Sequence, residues 1–321
     1  MAYFDHNASA PSSPKVREAV TAALCDYGNP SSVHAVGRAA RNCVEEAREE
    51  VAALVGTTAE NVIFTSGATE ANNQALRCCD RPQVVASAIE HPSVLEVSPE
   101  DARIPVSADG VTDLDALSEL LKRRGPFVVV SVMAANNESG VIQPVKCAAE
   151  RAHAAGALFH CDAVQAMGRI PFDMKRLGVD MATISAHKLG GPKGVGALVL
   201  ADGMETEPFM RGGGQERKRR GGTENVPGIA GFGVAAREAR ERRTSIGWVA
   251  NLIGILERRA EAAIPEVVIF GEDVPRIANT SLIALPDVDA ETQIMALDLA
   301  GISVSAGAAC SSGKVGESHV L

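Results

Sequence analysis

Short apolar runs alternate with helical stretches along the first two thirds of the chain. "NVIFTS" reads as a strand and leads into the helical stretch "ATEANNQALR". "PQVVASAI" is a second strand, followed by "HPSVLEVS", and "GPFVVVSVMA" is a third, running into the loop "NNESG". "KCAAERAHAAG" is helical, "ALFHCDAVQA" is a strand, and "MATISA" and "GALVLA" close the series. Continuous apolar strands separated by helices describe a sheet covered on both faces, with neighbouring strands mostly parallel. The pattern therefore predicts an α/β fold, with a mostly parallel central sheet and helices on both faces. No internal repeat or low-complexity tract interrupts it.

Beyond "GGTENVPGIAGFGVAAREARERR" the pattern changes. A long amphipathic stretch, "SIGWVANLIGILERRAEAAI", precedes short segments such as "VVIFG", "NTSLIAL" and "GISVSAG". This predicts a smaller α+β domain. The expected division is a large domain over residues 14–244, with residues 1–13 and 245–321 forming the small one. The opening residues, with "DHNASAP", are expected to lie outside the main sheet.

Composition narrows the possibilities. The 321 residues are 46% hydrophobic and 22% charged, enough for two domains or a large one with a small one. A net charge of -9 excludes a general nucleic-acid footprint. The basic cluster "RKRR" (Arg217 to Arg220) reads either as a local anion site or as a solvated loop. The seven cysteines are odd in number and form no CxxC, which disfavours a disulfide framework or a zinc site. Reduced thiols in a cytoplasmic compartment are expected. The first residues lack the charged head and apolar run of a secretory signal. No apolar run is long enough for a bilayer, so no membrane association is expected.

In open parallel sheets, ligands bind beyond the carboxyl ends of the strands. Polar groups follow each predicted strand here: Thr65–Glu70 after "NVIF", His91 after "VVASAIE", Asn136, Asn137 and Glu138 after "VVVSVMA", Asp162 and Gln165 near "ALFHC", and Ser185, His187 and Lys188 after "MATI". Singly, most have an ordinary reading. "TSGATE" can be a helix cap, with Thr or Ser bonding free N–H groups, or a phosphate seat on those same groups. It is not a Walker loop, because no GxxxxGK[ST] is present. His91 can be a satisfied loop histidine. Asn137 and Gln165 can be loop amides. Asp162 stands apart, because a carboxylate inside an apolar strand is costly unless paired or hydrogen-bonded.

Together the residues fit one ligand. Pyridoxal phosphate needs a lysine for its aldehyde, an acid for its pyridine nitrogen, donors for its phosphate and a flat group over its ring. Lys188, Asp162, the Ser66–Thr69 turn with Ser185 and His187, and His91 supply these.

Nine segments strengthen that reading. "YFDHNASAP", "YGNPSSVHAVGRAAR", "FTSGATEANNQAL", "HPSVLE", "NNESGVIQP", "HCDAVQAMGRIPFD", "SAHKLGGPKGVGAL", "GGGQERKRRGGTENVPGIAGFG" and "SAGAACSSGK" occur in this order. Together they resemble the cysteine desulfurases of the NifS/IscS type, within the class V aminotransferase-like pyridoxal-phosphate enzymes, across essentially the whole chain. The resemblance implies the aspartate aminotransferase-like fold. It implies that Lys188 tethers the cofactor, that His91 stacks on its ring and helps move protons, and that Asp162 binds the ring nitrogen. It places Gln165 at the phenolic oxygen, and Asn137 near that oxygen and the substrate carboxylate. Ala68, Thr69, Ser185 and His187 would hold the phosphate. Thr223 would reach the phosphate of a partner subunit's cofactor in a homodimer. Cys310 would be the nucleophile.

The setting of Cys310 suits that role on its own terms. "SAGAACSSGK" is small, polar and glycine-flanked, a loop composition, whereas the other six cysteines lie in helical or strand-like stretches where free cysteine is usually buried. The implied reaction takes sulfur from L-cysteine, leaving L-alanine and a persulfide on Cys310. The sulfur then passes to an iron–sulfur scaffold protein, in nitrogenase maturation or in general cluster assembly. No resident metal is implied, although Cys310 can share an iron–sulfur cluster with the scaffold. The chain stops at "KVGESHVL", before the segment in which relatives carry a carboxylate-gripping arginine, so a truncated small domain is expected. A selenocysteine lyase, or another class V aminotransferase-like enzyme, would keep Lys188, Asp162 and His91. A truncated pyridoxal-phosphate-binding protein without turnover would keep them too.

Overall fold

The computed structural model describes residues 1–242, 247–307 and 318–321. In chain order its strands and α-helices are β1 (Ala2–Tyr3), α1 (Pro14–Cys25), α2 (Ala35–Val55), β2 (Val62–Thr65), α3 (Ala68–Arg77), β3 (Gln83–Ser87), α4 (Pro92–Leu95), β4 (Arg103–Ile104), α5 (Leu114–Arg124), β5 (Val128–Ser131) and α6 (Val145–Ala154). Then follow β6 (Leu158–Asp162), α7 (Met174–Leu177), β7 (Met181–Ser185), β8 (Gly196–Leu200), α8 (Val226–Arg242), α9 (Gly247–Ala263), β9 (Val268–Ile269), β10 (Ile283–Ala284), α10 (Ala290–Leu299) and β11 (Ile302–Ser303).

The central sheet has seven strands in the order β2-β8-β7-β6-β5-β3-β4. Its pairings are parallel except the two made by β8, which runs against β7 and β2. The sheet is therefore mixed. The connection from Ser185 to Gly196 is too short for a helical crossover, so β8 must return antiparallel. Because β2 is antiparallel to β8 in turn, it points the same way as β7. The carboxyl ends of β2, β3, β5, β6 and β7 thus share one edge.

Alternation along each strand divides the core. Val62, Phe64, Val128, Val130, Phe159, Ala182 and Ile184 face a layer built from α1, α2, α5, α6 and α8. Ile63, Val84, Ala86, Val129, Met181 and Leu198 face the other way, onto α3 and α4. Both faces are dry, which explains the continuous apolar runs. α2 begins at His34, whose ring nitrogen accepts from Gly37 N at 3.2 Å, and ends at Gly56 in the left-handed region, φ 79°. It packs tightly on α8: a Cβ at Gly233 would fall 2.6 Å from the Ala47 Cα.

Two small sheets lie outside this core. β1 pairs in parallel with β11, and β9 pairs antiparallel with β10. The opening strand thus pairs with a strand from the last part of the chain. α9 and α10 have no fully buried residue. The amphipathic pattern of α9 leaves Trp248, Leu252 and Leu256 exposed, because little among the described residues covers its apolar stripe.

Candidate active site at the carboxyl edge of the sheet

Asp162 is the last residue of β6 and only 5% exposed. Its carboxylate accepts from Asn72 Nδ2 and Val164 N, at 2.9 and 3.0 Å. Those bonds stabilise a charge that burial would otherwise penalise. Lys188 ends a single 3-10 turn, Ala186–Lys188, directly after β7, the strand beside β6. Its amine donates to the main-chain carbonyl of Asn7.

His91 caps α4. Its Nδ1 accepts from Ser93 N at 3.1 Å and stands 2.8 Å from Ser93 Oγ. A nitrogen that accepts leaves the ring proton on Nε2. Ser93 Oγ in turn accepts from Asn72 Nδ2 at 2.9 Å. Burial holds the His91 pKa below its ordinary value; Asp162 opposes this, while Lys188 and His319 add to it. His91 thus lies within electrostatic reach of both Asp162 and Lys188. The adjacent Glu90 is fully buried. Burial first, and Asp162 second, push its pKa well above the usual carboxyl range.

An anion seat lies on the same edge. α3 starts at Gly67 with no side-chain cap on its first-turn N–H groups. The capping reading of "TSGATE" holds in part: Thr65 Oγ1 accepts from Gly67 N at 3.4 Å, and Glu70 also reaches back, its Oε2 accepting from Ser66 N at 2.8 Å. Ala68 and Thr69 form the open first turn. Gly196, the first residue of β8, pairs with Ser185 on one side and Thr65 on the other. A Cβ there would lie 2.8 Å from the Gly67 Cα, so only glycine lets the turn close against the strand. A Cβ at Gly67 itself would meet nothing within 4 Å. Next to Ser185, the ring of His187 has a buried Nδ1 with no hydrogen-bond partner. Burial, with help from Lys188 and Lys193, pushes the His187 pKa down to about 4.

The basic cluster is not an open anion site. Arg220 donates from Nε to Glu70 Oε1 at 2.9 Å, binding the loop to the α3 turn. Burial would raise Glu70, but the Arg220 and Ser66 hydrogen bonds outweigh it and hold the carboxyl low. Arg219 donates to the Glu60 carbonyl at 2.5 Å. Upstream, Glu216 forms a two-pronged pair with buried Arg48, at 2.6 and 2.8 Å, and accepts from Phe64 N at 2.9 Å. This holds three consecutive non-glycine residues, Glu216, Arg217 and Lys218, at positive φ.

The remaining expected residues are placed as follows. Gln165 donates to the Asn7 carbonyl at 3.0 Å, and its Oε1 accepts from Arg169. The carbonyl of Asn137 accepts from Asn7 Nδ2 at 3.0 Å. Thr223 is exposed in the loop before α8. Cys310 lies outside the described residues. Of the other six cysteines, Cys25 and Cys147 are exposed. They sit on the outward faces at the end of α1 and the start of α6, contrary to the expected burial of all six.

Three contributors escaped the sequence reading of the strand ends. Asn7 joins Asn137, Gln165 and Lys188 to Thr280, to which its Nδ2 also donates at 2.8 Å. Asn72 joins Asp162 to Ser93. His319 donates from Nε2 to the Glu90 carbonyl at 2.9 Å. An asparagine inside a helix is unfavourable by propensity, and that was the available signal for Asn72.

The donor set fits pyridoxal phosphate. The hydrogen-bonded carboxylate of Asp162 suits a protonated ring nitrogen. The unpartnered His187 nitrogen, the uncapped turn and the open space at Gly67 suit a phosphate. Among the described residues no cluster of side chains suits a metal ion, and no helix is long and apolar enough to cross a membrane.

An amine, a buried acid and an anion seat on this sheet define a pyridoxal-phosphate enzyme of the aspartate aminotransferase-like fold. Residues 2–319 match the class-V aminotransferase family. A cysteine desulfurase of Cereibacter sphaeroides is 41% identical, covering 99% of this chain and 85% of its own length. One from Bradyrhizobium diazoefficiens is 42% identical, covering 99% and 84%. The X-ray structure of a NifS-like protein from Rickettsia africae superposes with a TM-score of 0.90 at 37% identity, covering 100% of this chain and 91% of that one. The chain belongs to the class-V aminotransferase family and, within it, to the pyridoxal-phosphate-dependent cysteine desulfurases.

Proposed function

We propose that this enzyme takes the sulfur of L-cysteine onto Cys310, releasing L-alanine, and hands it to an acceptor. The observation that carries the reading is the juxtaposition of Lys188, His91 and Asp162 beside the uncapped α3 turn. Lys188 would hold the cofactor's aldehyde carbon and Asp162 its ring nitrogen. His91 would lie over the ring, with Gln165 and Asn137 toward its phenolic oxygen. Ala68, Thr69, Ser185 and His187 would seat the phosphate. When bound, pyridoxal phosphate supplies an electron sink that loosens the Cα proton and the Cβ–Sγ bond of cysteine.

The chain's own groups then act in turn. Lys188 Nζ takes the Cα proton, and His91, with its ring proton on Nε2, assists that transfer. The Cys310 thiolate attacks the substrate Sγ. An S–S bond forms as the Cβ–Sγ bond breaks. The bonding pair stays with the carbon, which gains a proton and becomes the alanine methyl group, and Lys188 returns a proton to Cα. The two sulfurs end as a persulfide, so no outside oxidant is required.

The finer assignments belong to the same proposal. The acceptor is an iron–sulfur scaffold protein, with which Cys310 can share a cluster, in nitrogen fixation or in general assembly. The enzyme works as a cytoplasmic homodimer, in which exposed Thr223 reaches the partner's cofactor phosphate. Residues 14–244 form the large domain, and residues 1–13 with 245–321 form the small one.

Mass spectrometry after addition of L-cysteine tests the reading. One extra sulfur on the Cys310 peptide, with alanine released in parallel, is expected. Cys310→Ala should keep the cofactor and lose the persulfide. Sulfur release from cysteine at the wild-type rate in that variant would reject Cys310 as the acceptor.

A further inference from the structure

A glycine turn folds Arg169 back over Gln165. Beyond β6 the chain closes a short helical turn, in which Met167 N donates to the Ala163 carbonyl at 3.2 Å and Ile170 N to the Ala166 carbonyl at 3.0 Å. Gly168 stands inside it at φ 71°, and a Cβ there would fall 2.9 Å from the Ala239 Cβ of α8. Glycine accommodates both the left-handed backbone and the close approach. Arg169 follows Gln165 by four residues, so the two side chains lie together as they would on one face of a helix.

The guanidinium rests on neutral oxygens. Nη1 donates to the main-chain carbonyl of Gln165 at 3.3 Å and to Gln165 Oε1, and Nη2 donates to the His6 carbonyl at 3.4 Å. Among the described residues no carboxylate acts on it. Burial alone lowers its pKa, to about 10, so it stays charged at neutral pH.

These contacts decide which way the amide of Gln165 faces. A guanidinium only donates and a carbonyl only accepts. Oε1 therefore faces Arg169, and Nε2 faces Asn7, to whose carbonyl it donates at 3.0 Å. The opposite orientation would set donor against donor at one end and acceptor against acceptor at the other. The same Asn7 carbonyl receives the Lys188 amine, so the amide nitrogen lies beside the cofactor's tether. That nitrogen carries two N–H groups, and one bond to Asn7 leaves the second for an oxygen of the cofactor.

We propose that Arg169 is a positioning residue: it fixes the amide of Gln165 with its N–H toward the cofactor's phenolic oxygen and sets a positive charge behind that bond. The inference rests on the reading that Gln165 faces that oxygen. A donor and a cation beside the oxygen favour its ionised form, so they lower the pH at which the tethered cofactor gives up its proton. Asp162 from β6, Glu90 and His91 from the segment after β3, His319, and His187, Lys188 and Lys193 from the segment between β7 and β8 also act in this site. The substitutions that test the idea leave all of them in place.

The full-length holoenzyme is titrated with pH while its visible absorbance is followed. Arg169→Met removes the charge and the donors and should raise the midpoint by about one pH unit, a tenfold change in proton affinity. Arg169→Lys keeps the charge and a donor for Oε1 and should stay close to wild type. Arg169→Gln keeps a donor without the charge and should fall between them. It serves as the neutral variant should Arg169→Met fail to load the cofactor. A structural role alone would lower cofactor content without moving the midpoint of the molecules that remain loaded. A wild-type midpoint in a loaded neutral variant therefore overturns the inference. So does an Arg169→Lys midpoint shifted as far as the neutral one. Gln165→Met, which has no N–H to offer, should also raise the midpoint. A wild-type midpoint there rejects the placement of Gln165 at the phenolic oxygen, and the inference with it.

Discussion

The amide nitrogen of Asn72 donates to both Asp162 Oδ2 and Ser93 Oγ, each at 2.9 Å. One side chain on α3 thereby couples Asp162, the proposed partner of the cofactor's ring nitrogen, to the serine that hydrogen-bonds His91. Asn72→Ala removes a donor from a buried carboxylate, a change worth about 1–3 kcal/mol. The apo variant should bind pyridoxal phosphate on the order of tenfold more weakly in a fluorescence titration. Affinity equal to wild type would mean that Asn72 only fills space.

Lys188→Ala should abolish covalent attachment of the cofactor. After borohydride reduction, the wild-type peptide containing residue 188 should carry the cofactor's mass and the variant peptide should not. Turnover of L-cysteine should fall by several orders of magnitude, because the proposed function makes one amine both tether and base. A cofactor adduct on a different lysine would overturn the assignment.

His160 lies behind Asp162 in β6, fully buried. Its Nδ1 is 2.8 Å from Ser131 Oγ and its Nε2 is 3.0 Å from Thr183 Oγ1. Burial pushes its pKa down to about 4, partly opposed by Asp162. An unfolded histidine takes up its proton near pH 6.5, so between that pH and about 4 the unfolded chain binds more protons than the folded one. The contribution is fully present above pH 6.5 and is lost as pH falls through this window, by roughly 3 kcal/mol. Urea melts of wild type and His160→Gln across pH 4–7 should show the acid-side slope shrinking in the variant. Parallel curves would refute it.

Glu216→Gln should weaken the fork to Arg48 and leave a buried guanidinium poorly compensated. Breaking such a pair costs on the order of 3–5 kcal/mol. Because Glu216 also receives the Phe64 N–H, the loss should reach β2. Denaturant melts should show a lower midpoint, and hydrogen exchange should accelerate at Phe64. An unchanged midpoint would show that water replaces the pair without cost.

The strand ends were readable in advance because covered parallel strands are nearly pure apolar runs, so each polar residue at their edge stands out. Asp162, His187 and Lys188 surfaced in that way. The direction of β8 was less evident, since an apolar run carries no sign of its polarity and only the shortness of the preceding connection decides it. The capping of the α3 turn was only partly legible, because a glutamate one turn into the helix reaches back to the Ser66 N–H alongside the bond that Thr65 makes to Gly67. Cys25 and Cys147 show that a helical pattern does not say which face a small residue occupies. Asn7 had no signal, because its contact with Lys188 is made by a main-chain oxygen between residues far apart in sequence.

That last contact has an evolutionary consequence. A peptide oxygen is present whatever side chain occupies position 7, so point substitutions there can erase the bridges to Asn137 and Thr280 but not the acceptor that meets the lysine amine. The resting place of the amine is set by the route of the main chain. Drift in residue type would spare it, whereas an insertion or deletion nearby would shift it.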